Sequence, residues 1–110
     1  MKIRMSADFK ASYKQLKKRH KSLEADFEKL LASLLQNPLQ GVELIGGARK
    51  IRLAITSKGR GKSGGARVVI RVRLINDELQ LLYIYDKADM ENVSDIFLRD
   101  VMQRLEQFEQ

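Results

Sequence analysis

The spacing of apolar residues changes sharply at Ala48, and that change bounds what this chain can fold into. Before it, Phe9, Tyr13 and Leu16 follow one another at helical spacing. Leu23, Phe27, Leu30, Leu31, Leu34 and Leu35 then form a second amphipathic stripe. After it, the period is two. Ile51, Leu53 and Ile55 point one way, with Lys50 and Arg52 pointing the other. Val68, Ile70, Val72 and Leu74 repeat the pattern, with Arg67, Arg71 and Arg73 opposite.

The boundaries are marked by chemistry. Lys2 to Met5 read as a short first strand. Ser6 caps the helix after it, with Asp8 in the first turn. Ser22 restarts a helix that Asn37-Pro38 stops, because a residue before proline avoids helical dihedrals. Leu39 to Gly47 reads as loop, and residues 57–65 as a Gly- and Lys-rich turn. Asn76-Asp77 reads as a hairpin turn before a third strand from about Gln80 to Tyr85. Ser94 caps a last helix carrying Phe97, Leu98, Val101, Met102, Leu105 and Phe108. The expected architecture is α+β: an N-terminal strand and helical hairpin packed on an antiparallel sheet, with a C-terminal helix. At 110 residues the chain is expected to form one domain, residues 1–110.

Charge placement says more than the net charge of +7. From Leu44 through Asn76 there is no Asp or Glu. That stretch holds Arg49, Lys50, Arg52, Lys58, Arg60, Lys62, Arg67, Arg71 and Arg73. Alternation should gather Lys50, Arg52, Arg67, Arg71 and Arg73 on a sheet face that the helices leave bare. Like charges on adjacent strands repel, a cost that a polyanion relieves. With Leu82 and Ile84 facing the helices, Leu81, Tyr83 and Tyr85 would share the basic face, and the tyrosine rings could stack on bases. A nucleic acid, and RNA in particular, is the partner these residues suit.

Other chemistries fit less well. The absence of Cys removes disulfides, thiolate metal sites and thiol nucleophiles. Gly61-Lys62-Ser63 resembles the tail of a phosphate loop, but Thr56 stands where that loop needs Gly, and a strand follows instead of a helix. His20 is the only histidine, too few for a zinc site or a catalytic pair. Asp86, Asp89 and Glu91 match no metal-binding spacing, so neither metal nor cofactor is expected. Met1 to Lys10 lack the apolar core of a secretory signal, and no apolar run approaches a membrane span. A cytoplasmic setting is expected, with no membrane partner.

Three runs carry a resemblance: residues 46–54 (GGARKIRLA), 57–68 (SKGRGKSGGARV) and 82–87 (LYIYDK). With length and element order, they make the chain resemble the RelE/ParE superfamily of bacterial toxin–antitoxin toxins, and within it the HigB-like branch. The resemblance implies a ribosome-dependent mRNA endoribonuclease that inhibits translation. The reaction is attack by a ribose 2′-hydroxyl on the adjacent phosphate. Lys50 and Arg52 match the two basic positions of the family's strand motif, and Arg67 matches the Arg after the hairpin turn. Lys50 is the better candidate for proton transfer, since Arg52 stays protonated; Arg67 could clamp a phosphate with two parallel hydrogen bonds. Met90 and Ser94 stand where the family carries a later catalytic Arg and Tyr, and Tyr85 or Lys87 could take over those roles.

The candidate catalytic set is thus Lys50, Arg52, Arg67 and Tyr85. The candidate RNA-binding set is Arg49, Lys58, Arg60, Lys62, Arg71, Arg73, Tyr83 and Lys87. The implied partners are a cognate antitoxin of helix-turn-helix type, the ribosome with its mRNA, and operator DNA through the antitoxin complex. A ParE-like inhibitor of DNA gyrase shares the fold and needs no catalytic residues. A nucleic-acid-binding module without toxicity is the third reading.

Overall fold

The computed structural model describes residues 1–58 and 64–107. Its elements are β1 (Lys2–Met5), α1 (Ala7–Arg19), α2 (Leu23–Gln36), β2 (Val42–Glu43), β3 (Ala48–Leu53), β4 (Ala66–Arg73), β5 (Glu78–Asp86) and α3 (Asp95–Gln107). The strands form one sheet in the order β1-β5-β4-β3-β2. All pairings are antiparallel except β1 with β5, which is parallel.

The helical hairpin covers one face. Phe9, Leu16, Leu23, Phe27 and Leu34 are buried there with Ile51, Leu53, Val68, Ile70, Leu79, Leu81 and Ile84. The opposite face is not bare, contrary to the expectation from strand alternation. α3 lies across part of it, burying Leu98, Val101, Met102 and Leu105 against Ala48, Val69, Leu82 and Tyr85. The apolar stripe of α3 needs a sheet surface, and Ala48, Val69 and Leu82 supply one between the arginines.

A register shift makes the second core possible. Val69 pairs with Tyr83, but Ile70 pairs with Leu81, so Leu82 is an extra residue in β5. Leu79, Leu81 and Ile84 consequently face the hairpin, while Leu82 and Tyr85 face α3. Strict alternation would put Leu82 toward the hairpin and Leu81 on the opposite face; the extra residue reverses them. Fully buried Ser6 fastens this point: its hydroxyl donates to the Leu82 carbonyl (2.6 Å) and accepts from the Phe9 N–H (2.9 Å) as the cap of α1.

Three smaller differences follow from tertiary context. The segment read as loop contains β2, which pairs Val42 with Lys50 and Glu43 with Arg49. β4 ends at Arg73, so Leu74 does not continue the buried row; it sits 72% exposed in a turn closed by left-handed Asp77. Ser22 makes no side-chain cap to α2, and its hydroxyl donates to Asp26 instead (2.8 Å).

Gly41 leads into β2 with φ +87°, and a Cβ there would run into the carbonyl oxygen of Lys50. Gly41→Ala should therefore destabilise the protein by about 1–3 kcal/mol through backbone strain and that clash. Urea denaturation of the two proteins checks this; an unchanged midpoint would mean that the edge relaxes freely.

Candidate nucleic-acid interface and active site

β3, β4 and β5 bring three of the candidate residues into one lateral row. Arg52 lies opposite Arg67, and Arg67 opposite Tyr85. Lys50 stands two residues from Arg52 on the same face, opposite Val69. Beyond β5 the chain turns back over this row. The Lys87 N–H donates to the Gly65 carbonyl (3.0 Å), and the Tyr85 hydroxyl donates to the Glu91 carbonyl (3.3 Å). Lys50 Nζ donates to Asn92 Oδ1 (2.7 Å).

The result is a groove of about 240 Å³ lined by Val42, Lys50, Arg52, Arg67, Lys87, Glu91 and Asn92. Four cations and one carboxylate share it, so its field favours an anion. Arg67 forms its floor, only 4% exposed, with one guanidinium nitrogen donating to the Ala66 carbonyl (3.0 Å). Arg52 is exposed at the rim. The Arg67 guanidinium at the floor, with Lys50, Arg52 and Lys87 around it, suits a tetrahedral anion such as a phosphodiester. Burial raises the Tyr85 phenol above its ordinary value, with the nearby Arg67 charge pulling the other way. Tyr85 therefore stays protonated and acts as a donor that braces the loop carrying Glu91.

Val42, Glu91 and Asn92 were not singled out for this groove from the sequence. In the sequence Glu91 stands out only beside Asp86 and Asp89, as an acid at the strand exit. Its position one turn past the tyrosine strand was the available signal.

The remaining candidates lie elsewhere. Arg49 points to the other face of β3, where it donates to the carbonyls of Gln40 (2.8 Å) and Gly41 (3.1 Å) and pairs with Glu43 (3.2 Å). Arg71 is buried under α3 on Gln80 (2.9 Å) and Glu106 (2.7 Å); burial lowers its pKa, and Glu106 opposes that shift. Arg73 pairs with the same Glu106. The C-terminal helix thus brings one carboxylate, Glu106, to two arginines that strand alternation assigns to a bare basic face. Tyr83 is half-buried between Tyr85 and Phe97. Arg60 and Lys62 lie outside the described residues.

Lys58 belongs to a second cluster, on the hairpin side of the sheet. Its ammonium donates to Asp86 Oδ1 and to the Gly64 carbonyl, each at 2.9 Å. Asp86 is 1% exposed. It also meets His20 Nε2 at 2.8 Å and Arg19 at 3.3 Å, and accepts from the Ala88 N–H at 2.9 Å. Burial alone would raise its carboxyl. The Lys58, Ala88 and His20 hydrogen bonds and the Lys58 charge outweigh that and hold it at about 2. His20 and Asp86 therefore knot the end of α1 to the end of β5.

No helix among the described residues is long and apolar enough to cross a membrane. No family model matches the chain. Among solved structures, the crystal structure of the isolated E. coli RelE toxin is similar, with TM-score 0.60 and 14% identity over 93% of this chain and 96% of that one. A double mutant of E. coli RelE in the free state gives TM-score 0.59 and 14% identity over 94% and 96%. The chain therefore has the RelE fold, carried by a sequence that shares few of RelE's residues.

Proposed function

We propose that the protein is the toxin of a toxin–antitoxin pair and cleaves mRNA on the ribosome. The observation that carries this reading is the convergence of Lys50, Arg52, Arg67 and Lys87 on one anion-sized groove, on a fold shared with a RelE toxin. Within that superfamily, the runs 46–54, 57–68 and 82–87 together resemble the HigB-like branch.

In the proposed reaction the ribose 2′-oxygen forms a bond to phosphorus and the bond to the 5′-oxygen breaks, leaving a 2′,3′-cyclic phosphate. The 2′-hydroxyl proton passes to solvent water, and the Lys50 ammonium gives a proton to the departing 5′-oxygen. Arg67 and Arg52 hold the non-bridging oxygens, whose negative charge grows in the transition state. Lys50, steered by Asn92, is the group for proton transfer. The surplus of positive charge serves attachment to ribosomal RNA. An acidic antitoxin segment would meet the same groove by charge complementarity, and the pair would bind operator DNA through the antitoxin's helix-turn-helix.

Purified protein added to a reconstituted translation reaction should produce new mRNA 5′ ends, mapped by primer extension, only when ribosomes are present. Intact mRNA with undisturbed translation would reject the reading. Induction of the DNA-damage response and loss of supercoiling activity in its place would favour a gyrase inhibitor.

A further inference from the structure

Next to the cationic groove lies a second cavity of about 190 Å³, lined by Tyr83, Met90, Asn92, Val93, Ser94 and Phe97. Its walls are mostly apolar and aromatic. Tyr83 and Phe97 meet edge to face, centroids 4.9 Å apart at 70°. Tyr83 also lies beside Tyr85, at 6.1 Å and 28°. Three rings therefore run from the neighbour of Arg67 in the groove to the wall of the cavity. Met90, 37% exposed, borders its opening.

The two cavities share Asn92. Its Oδ1 accepts from the Lys50 ammonium, which orients the carboxamide and leaves both N–H donors of its NH₂ group to offer. The second cavity thus combines ring walls with a hydrogen-bond donor, beside a site of concentrated positive charge. An apolar peptide side chain would use the rings and waste the donor. A planar heterocycle with acceptor atoms, attached to an anionic backbone, uses all three features.

We propose that this cavity is a nucleobase subsite. It receives the base of a nucleotide flanking the phosphate held at Lys50, Arg52 and Arg67, against Tyr83 and Phe97, with the Asn92 amide donating to a ring nitrogen or carbonyl. This rests on the RNA reading above and extends it to specificity. Because Asn92 also holds Lys50, a base that engages the amide settles the ammonium beside the scissile phosphate, and a base that does not leaves it less ordered. Sequence preference at the cut site would then arise from the loop at residues 90–94 more than from the strands.

The test uses the full chain with labelled methionine methyls and a 2′-O-methyl RNA tetranucleotide, which cannot be cleaved. A companion series replaces each base in turn by an abasic residue. The parent RNA should shift the Met90 methyl resonance, assigned with Met90→Leu. One abasic position should abolish that shift and weaken binding by about tenfold, a loss typical of a missing base–aromatic contact. Phe97→Leu should weaken the parent RNA similarly yet leave binding of that abasic RNA unchanged; a cooperative thermal unfolding transition shows that the variant is folded. If all abasic RNAs bind as tightly as the parent and Met90 stays silent, while Arg67→Ala still abolishes binding, the subsite is rejected and the RNA reading stands. Failure of every RNA to bind, free or on ribosomes, would reject both.

Discussion

Arg67→Ala is expected to lower the proposed ribosome-dependent mRNA cleavage by roughly 10²–10³-fold, the scale at which one preorganised transition-state donor acts. Arg67 is fixed on the floor of the groove, between Arg52 and Tyr85 in the lateral row. Arg67→Lys should recover only part of the loss, because an ammonium keeps the charge but not the forked geometry. Arg73→Ala is the control of equal charge. Its guanidinium pairs with Glu106 outside the groove, so cleavage should change little. The comparison separates position from charge: equal losses in Arg67→Ala and Arg73→Ala would mean that the protein acts as a diffuse polycation and that the groove is not its active centre. Single-turnover cleavage rates on programmed ribosomes provide the measurement.

The second large effect is on stability. Asp86→Ala should cost about 3–5 kcal/mol, the loss that follows when one partner of a buried charge cluster is removed. Lys58, His20 and Arg19 all converge on this carboxylate. The cluster also sets a pH dependence. The folded carboxyl sits at about 2, below its ordinary 3.8, so the native state favours the ionised form. Its contribution is complete above pH ~4 and is lost as pH falls through ~2, amounting to about 2 kcal/mol from this group. Asp86→Asn should therefore be less stable than wild type at neutral pH, with the gap narrowing between pH ~4 and ~2. Urea midpoints taken across that range test it; a gap independent of pH would show that the carboxylate's charge is not what the cluster uses.

Much of the architecture was legible in local pattern. Ser6, Ser94 and Asn37-Pro38 mark helix ends, and the alternation in Lys50-Ile51-Arg52-Leu53 assigns its faces correctly, because each signal is local and its cause acts within a few residues. The limits appear where causes are distant. Leu81 and Leu82 are both apolar, so alternation cannot say which is the inserted residue; the register against Val69 and Ile70 decides it. Arg71 and Arg73 look like free surface cations until Glu106, more than 30 residues away, is carried over them by α3. Arg49 has the composition of an RNA contact and the wrong phase for the groove. The groove was half legible: its strand residues could be read from the pattern, but Glu91 and Asn92 enter only because the loop after β5 folds back over Tyr85 and Lys50.

The parallel pairing of β1 with β5 has a consequence for synthesis. Among the described residues β1 finds its sheet neighbour in residues 78–81, and Arg4 donates to the Leu105 carbonyl at 2.6 Å. β1 therefore has no sheet partner until β5 has been made, and the sheet closes late. Such distant pairing slows folding relative to a hairpin-first protein. Lys50, Arg52 and Arg67 emerge earlier, but their groove lacks a wall until residues 87–92 follow. The groove is therefore complete only once the segment after β5 has folded back over β3 and β4.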